Sequence, residues 1–310
     1  MRDTVIHKLI DMGKCDKNIE LITGDLGFGV LKPFWETLPD QFVNAGIAEQ
    51  NMTGLAAGMA LEGKKVFTYS IGNFPTLRCL EQIRNDCAYH NANVNIICVG
   101  GGYVYGSLGM SHHATEDIAI LRALPDVTVI CPGDPAEAAA AVEKIANTEG
   151  TCYLRLGRGG EKTINANITE FEIGKAYKLR DAKNFDKKVA VFSTGAILEE
   201  TSKACDMLES AGIAVEQYSF PTVKPIDKKV IESCADRFDH IFTVEEHNIV
   251  GGFGGAVAEV MAEYGGKAKL HRIGINDFYC IKVGNQSYLR EQVGINAEGI
   301  TKKVKDIFSE

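Results

Sequence analysis

Short apolar runs alternate along the first half of the chain with longer segments whose apolar residues recur at helical spacing. Strands are expected at 19–23, 42–44, 66–69, 94–99, 127–131 and 152–156. Helices are expected at 3–13, 49–62, 76–89, 115–124 and 135–148. Regular alternation of strand and helix is typical of a parallel sheet covered by helices on both faces. The nearly continuous apolar run at 94–99 favours this architecture, because strands of a parallel sheet are buried on both sides.

A second unit of the same kind follows a change in composition. Residues 179–188 are polar and charged, and we interpret them as a linker. Apolar runs at 189–195, 214–218 and 241–246 then predict further strands. The expected fold is α/β with two domains, residues 1–180 and 181–310, each a mostly parallel sheet covered by helices.

Composition narrows the class of protein. The chain has 310 residues and a net charge of −8, which gives no support for a nucleic-acid or membrane-surface partner. Nine cysteines are dispersed without a CxxC pair, which favours buried free thiols in a reducing compartment. The beginning of the sequence has no signal-peptide pattern, and no apolar run reaches membrane-spanning length. A cytoplasmic protein is expected.

Four residues with useful chemistry fall in or next to loops at the ends of predicted strands: Asp25, Glu49, Phe74 and His112. In a parallel sheet these loops lie at one edge, which is the usual ligand site. Glu49 stands among alanine, glycine and isoleucine, where a carboxylate is costly to bury without a partner. A nitrogen of a bound cofactor is the partner that we expect.

Three patterns leave alternatives open. His112 and His113 could bind a metal, but neighbours on an extended backbone point to opposite sides, which favours one of them as an acid or base facing a substrate. Arg155 and Arg158 are either surface charges or an anion site. The glycine-rich segment 251–255 resembles a dinucleotide-binding turn, although a structural turn at a helix N-terminus is favoured.

Four segments together resemble the C-terminal half of transketolase and of the related deoxyxylulose-phosphate synthase. They are residues 46–51 (GIAEQN), 111–113 (SHH), 244–247 (VEEH) and 273–278 (IGINDF). The resemblance implies a pyrimidine-binding domain to about residue 180, followed by a transketolase C-terminal domain. It also implies a split enzyme, expected as an α2β2 assembly, in which an N-terminal partner subunit holds the diphosphate of thiamine diphosphate and Mg²⁺.

The resemblance assigns five residues to the cofactor. Glu49 matches the glutamate that hydrogen-bonds the aminopyrimidine ring nitrogen and thereby activates the thiazolium carbon. Ile47 matches the bulky residue beneath the bent cofactor, and Asp25 matches a residue near the thiazolium. Phe74 is the expected aromatic partner of the pyrimidine, with Tyr69 as the fallback.

The resemblance assigns five further residues to a sugar-phosphate substrate. His112 matches the histidine that contacts the oxygens of the donor sugar, with support from Glu116. Arg2 and Arg158 match arginines that bind the phosphate, with Arg155 as the fallback for Arg158. The expected activity is transfer of a two-carbon ketol unit between sugar phosphates, as in the pentose phosphate pathway.

Three positions depart from the family pattern and leave the sugar undetermined. Leu108 replaces an aspartate, a histidine of transketolase falls near Gly100, and a serine falls at Gly29. Two alternatives remain beside a deoxyxylulose-phosphate-synthase-like enzyme: the β subunit of a 2-oxoacid dehydrogenase E1 component, and a non-catalytic paralogue that regulates a partner. The sequence AEQN at 48–51 and an arginine at position 2 favour the sugar enzyme.

Overall fold

A computed structural model describes residues 1–168 and 170–308 and shows two α/β units in sequence. The first unit contains α1 (Arg2–Cys15), β1 (Ile19–Thr23), α2 (Phe28–Thr37), β2 (Phe42–Asn44), α3 (Glu49–Leu61), β3 (Lys65–Ile71), α4 (Leu80–Gln82), β4 (Val94–Val99), α5 (Asp117–Ala123), β5 (Val127–Ile130), α6 (Pro135–Ala146) and β6 (Thr151–Leu156). The second contains β7 (Tyr177–Arg180), β8 (Lys187–Thr194), α7 (Leu198–Ser210), β9 (Ile213–Ser219), β10 (Thr222–Lys224), α8 (Lys228–Arg237), β11 (His240–Asn248), α9 (Phe253–Tyr264), β12 (Lys269–Ile275), α10 (Gln286–Gln292) and α11 (Ala297–Asp306).

Both sheets are mostly parallel, so the predicted fold class is confirmed. The first sheet has seven strands in the order β10-β5-β6-β4-β3-β1-β2, and the second has five in the order β12-β11-β8-β9-β7. Of the strands in the described residues, only the edge strands β10 and β7 run antiparallel to their neighbours. The central strand β4 is buried along its whole length, as its apolar run predicts.

The border between the two units differs from the predicted linker. Strand β7 belongs to the second sheet, so that sheet begins at Tyr177 rather than after residue 180. Strand β10, which lies far along the second unit, crosses back and pairs with β5 of the first sheet. Neither short strand has a long apolar pattern: β7 is partly exposed, and β10 has only three residues, of which Thr222 and Val223 are buried. The place of each strand is decided by the neighbour with which it pairs.

Two helical segments also differ from the expectation. Helix α2 was not predicted, since its sequence follows a glycine-rich loop and contains Pro33. The helix expected at 76–89 is replaced by the short α4 and a π-helical turn at Ile83–Ala88. Residues 72–79 therefore form a loop beyond β3, which brings Phe74 and Arg78 to the edge of the sheet.

The glycine-rich segment at 251–255 is a structural turn, as favoured from the sequence. The carboxylate of Glu245 accepts hydrogen bonds from the amides of Phe253 (2.6 Å) and Gly254 (2.8 Å) at the start of α9. A Cβ atom at Gly252 would overlap this carboxylate, so glycine is required there. Burial raises the pKa of Glu245 to about 7. The helix N-terminus is thus filled by the protein's own side chain.

Eight of the nine cysteines are buried and Cys15 is exposed, in agreement with the predicted buried thiols. Burial raises the pKa of Cys98 to about 12, so this thiol stays protonated. Among the residues that the structure describes, no helix is both long and apolar enough to cross a membrane.

Candidate active site

Glu49 is the first residue of α3 and its side chain is almost completely buried. The loop from β2 to α3 turns at Gly46, whose φ of +74° favours glycine. Only 3% of Glu49 is exposed, and Gly24 packs so closely that a Cβ there would lie 3.4 Å from Cγ of Glu49. The loops that follow β1 and β2 therefore hold the carboxylate from two sides.

The protein partner of Glu49 is Arg78, a residue not among the predicted site residues. Nη1 of Arg78 donates to Oε2 of Glu49 at 2.7 Å, and 47% of the Arg78 side chain is exposed. The sequence predicts a cofactor nitrogen as the hydrogen-bond partner of the Glu49 carboxylate, and in this structure the partner is the Arg78 guanidinium group. The signal available in the sequence was an arginine in the loop that follows a neighbouring strand, four residues after Phe74.

A line of ring contacts connects Arg78 with His112. The guanidinium carbon of Arg78 lies 4.7 Å from the centre of the Phe74 ring. The Phe74 and His112 rings meet edge to face with their centroids 5.3 Å apart. Glu49, Arg78, Phe74 and His112 are thus consecutive neighbours, so the predicted residues at the strand ends do lie together.

The adjacent histidines have different environments. His112 is partly exposed, and its Nδ1 lies 3.0 Å from the Ser111 hydroxyl. His113 is buried against Tyr103 with ring centroids 4.9 Å apart, and desolvation lowers the pKa of His113. Glu116, the residue expected to support His112, is the partly exposed N-cap of α5.

Asp25 links the glycine-rich loop after β1 to the loop between β2 and α3 through hydrogen bonds with Asn44. Its backbone amide donates to Oδ1 of Asn44 and its carboxylate accepts from Nδ2 of Asn44, both at 3.0 Å. Oδ1 of Asn44 also accepts from the amide of Gly46 at 3.0 Å. Asp25 has a φ of +57°, which is uncommon for a residue with a side chain and is supported here by the two bonds to Asn44. At the tip of the neighbouring loop, Ile47 is 80% exposed.

Two of the predicted phosphate-binding arginines lie around one tyrosine. The guanidinium carbon of Arg158 is 5.6 Å from the centre of the Tyr105 ring. Arg2 lies near Tyr69 and Tyr105, and its Nε donates to Asp3 at 2.9 Å. Tyr69, the fallback residue, is 2% exposed and belongs to the apolar core, and this burial raises its pKa. The aromatic ring in contact with Arg78, the partner of Glu49, is Phe74.

Arg155 is not available to a substrate, which corrects its fallback assignment. Its Nε donates to Asp117 at 2.7 Å, and Nη2 donates to the carbonyls of Ala114 (2.7 Å) and Glu246 (3.1 Å). Arg155 and Asp117 are both buried, and the Tyr153 hydroxyl donates to the same carboxylate. The network joins β6, α5 and the second unit, and it fixes the backbone just after His112.

Of the three positions that depart from the family pattern, the structure explains the glycine at position 100. Gly100 has a φ of +100°, and a Cβ atom there would overlap the ring of Tyr105. Tyr105 therefore fills the space where the family resemblance places a histidine. Leu108 is 55% exposed on a turn beside His112, and Gly29 has open space around it.

The donor set of this site suits an aromatic, nitrogen-containing ring. It combines a buried carboxylate, the face of an aromatic ring and an exposed apolar side chain at Ile47. Across residues 1–168 and 170–308, no cluster of three or more His, Cys, Asp or Glu side chains is arranged to hold a metal ion.

Comparisons with known proteins agree with this architecture. The family profile of the transketolase pyrimidine-binding domain matches residues 1–160, and that of the transketolase C-terminal domain matches residues 174–300. A "Putative transketolase C-terminal section" of Methanocaldococcus jannaschii is 39% identical over 99% of this chain and 95% of its own length. A protein of Phocaeicola vulgatus named as one subunit of an apulose-4-phosphate transketolase is 34% identical over 97% of this chain and 95% of its own length.

A solved structure described as "Split gene transketolase, inactive beta4 tetramer" superposes with a TM-score of 0.87 at 32% identity, covering 98% of this chain and 96% of the other. The fold and the family matches define a two-domain protein of the thiamine-dependent transketolase type. The chain belongs to the transketolase family and corresponds to its C-terminal half.

Proposed function

We propose that this chain is the C-terminal subunit of a split, thiamine-diphosphate-dependent transketolase that transfers a two-carbon ketol unit between sugar phosphates. The observation that carries the proposal is that Glu49, Phe74 and His112 lie together at the edge of the first sheet, with Arg78 between Glu49 and Phe74. A buried carboxylate, an aromatic face and a partly exposed imidazole meet the needs of cofactor activation and sugar binding.

Glu49 would bind the cofactor through a pyrimidine nitrogen. Its carboxylate is almost completely buried, so a hydrogen bond from a ring nitrogen would satisfy an acceptor that water cannot reach. Phe74 would stack on the pyrimidine, Ile47 would support the bent cofactor, and Asp25 would lie near the thiazolium. When bound, thiamine diphosphate supplies a nucleophilic carbon that permits cleavage of the bond beside a ketose carbonyl.

His112 would bind hydroxyl groups of the sugar, with its ring oriented by Phe74 and Ser111. Arg2 and Arg158 would bind the phosphate, since guanidinium groups match phosphate oxygens in shape and charge. The ring of Tyr105 lies against Arg158 and occupies the space next to Gly100, which would make the phosphate site narrower. We therefore expect a substrate choice that differs from transketolases with a histidine at that place.

The partner would be an N-terminal transketolase subunit in an α2β2 assembly, holding the cofactor's diphosphate and Mg²⁺. Two relatives support a separate partner: one is named as a single subunit of a transketolase, and the solved β4 form of a split-gene transketolase is described as inactive. The exposed Ile47 also supports it, because a large apolar side chain beside a site gains stability when another surface covers it.

Reconstitution tests the proposal. The chain would be combined with the partner subunit, thiamine diphosphate, Mg²⁺, a ketose-phosphate donor and an aldose-phosphate acceptor, and the transferred product would be measured. Ketol transfer is expected only when both subunits are present. Decarboxylation of pyruvate instead would indicate the 2-oxoacid dehydrogenase alternative, and assembly without cofactor binding would indicate a regulatory paralogue.

The phosphate site gives a separate prediction. Arg158→Met should raise the KM for a ketose-phosphate donor about 10- to 100-fold, because a charged hydrogen bond contributes roughly 1.5–3 kcal/mol. The KM for the same ketose without its phosphate should remain unchanged. Arg84→Met, which changes an exposed arginine bonded to its neighbour Asn85, is the matched control. An equal rise for both donors would contradict a phosphate-binding role for Arg158.

A further inference from the structure

Arg78 makes two contacts that the proposed roles of the site residues leave unexplained. Its guanidinium carbon lies 4.7 Å over the Phe74 ring, and its Nη1 donates to Oε2 of Glu49 at 2.7 Å. The carboxylate is buried, with 4% of its side chain exposed, while the arginine side chain is 47% exposed. The arginine thus reaches from solvent into the site and covers its most buried acidic group.

The chemistry of a guanidinium group makes this position informative. The group is planar and positively charged, it stacks on aromatic faces, and it donates hydrogen bonds from its edge to carboxylates. An aminopyrimidine ring is also planar and nitrogen-containing, and it can stack on Phe74 and hydrogen-bond to Glu49. A pyrimidine ring that stacks on the face of Phe74 beneath the guanidinium group and bonds to Oε2 of Glu49 would take both contacts from Arg78.

We propose that Arg78 is a placeholder for the cofactor's pyrimidine ring: it occupies Phe74 and Glu49 in the subunit without cofactor and is displaced when the cofactor binds. The inference rests on the proposed function, because it takes Glu49 and Phe74 as the pyrimidine site. It adds that a side chain of the same chain, Arg78, competes with the pyrimidine ring for Glu49 and Phe74.

Two physical reasons support an exchange of this kind. An unpaired carboxylate as deeply buried as Glu49 destabilises a protein, so a counter-ion is needed whenever the cofactor is absent. Arg78 can leave at moderate cost, because about half of its side chain is exposed and it lies in the loop before the short α4. Its departure exchanges one partner of Glu49 for another, so the carboxylate stays paired throughout.

The consequence is a lowered apparent affinity for the cofactor. Binding is competent only in the fraction of molecules whose arginine has moved away, and the apparent Kd rises in proportion. Removing the competitor should therefore tighten cofactor binding, whereas removing a residue that supports the cofactor would weaken it. The two roles predict changes of opposite sign.

The test measures thiamine diphosphate affinity of the assembled two-subunit complex by titration calorimetry with Mg²⁺ present. Arg78→Met removes the charge and the donors while keeping a long side chain, and we expect binding about 10-fold tighter, equivalent to about 1.4 kcal/mol. Arg78→Lys keeps the charge without the planar group and should give an intermediate affinity. Arg84→Met, which changes an exposed arginine bonded to its neighbour Asn85, is the control and should bind as the unmodified complex does.

A second measurement uses the free subunit and does not depend on activity. Arg78→Met should lower its thermal midpoint, because Glu49 is then buried without a counter-ion, and the double variant with Glu49→Gln should recover most of the loss. An unchanged midpoint in Arg78→Met would overturn the inference, as would equal or weaker cofactor binding by this variant. Absence of cofactor binding in the unmodified complex would instead overturn the proposed function and the inference with it.

Discussion

Replacing Glu49 with glutamine should lower the kcat of ketol transfer by the assembled enzyme about 1,000-fold. Glutamine has nearly the same shape but cannot hold and release a proton at the pyrimidine nitrogen, and positioned proton transfer contributes roughly 10²- to 10⁴-fold to such reactions. The fold should persist, because the glutamine oxygen can still accept the hydrogen bond from Arg78. Steady-state kinetics of the reconstituted complex measures the loss.

The matched control is Glu62→Gln, which changes an exposed glutamate just beyond the other end of α3. It should leave kcat within about twofold of the unmodified enzyme, since surface substitutions away from the site act weakly. Circular dichroism and subunit assembly should be the same for both variants. A kcat for Glu49→Gln equal to that of the control would remove Glu49 from the mechanism.

Replacing Asp117 with alanine should reduce the free energy of unfolding by about 3–5 kcal/mol. The substitution leaves the Arg155 guanidinium buried without its counter-ion, and breaking a buried pair on one side has an effect of this size. We expect a value near the upper end of this range, because Arg155 and Asp117 are 2.7 Å apart and both side chains are almost completely buried. Urea unfolding followed by circular dichroism measures the change.

The same substitution should disturb the site from a distance. Arg155 also donates to the carbonyl of Ala114, two residues after His112, so its displacement loosens the turn that carries the imidazole. The control is Glu263→Ala, which removes a surface pair with Lys228 and should change stability by less than about 0.5 kcal/mol. Equal stability of the two variants would show that the buried network contributes little.

The candidate site could be located from the sequence in its main parts. Asp25, Glu49, Phe74 and His112 follow predicted strands, and parallel strands place such loops at one edge. The ring contact of 5.3 Å between Phe74 and His112 agrees with that expectation. Their roles toward cofactor and sugar remain proposals, whereas the fold class and the family are confirmed.

Other features could not be deduced because they depend on which loops meet. Arg78 and Tyr105 lie in loops with no regular periodicity. Although Arg78 follows a strand, no local pattern indicates that it contacts Glu49 or that Tyr105 packs on Gly100. Arg155 ends a strand and looked suitable for an anion, but Asp117 and two carbonyls from distant segments use its donors. Strand β10 likewise joined the first sheet through pairing that is remote in sequence.

The sequence by itself determined two α/β units, the family motif around Glu49 and the loops that carry chemical groups, because apolar periodicity and strand–helix alternation are local properties. The tertiary structure decided the partner of each charged group. Burial, counter-ions and ring contacts arise between residues far apart in the chain, as between Glu49 and Arg78 or between Asp117 and Arg155. Since an ionised side chain is stable in the interior only when it is paired, those partners decide which charges remain free to act.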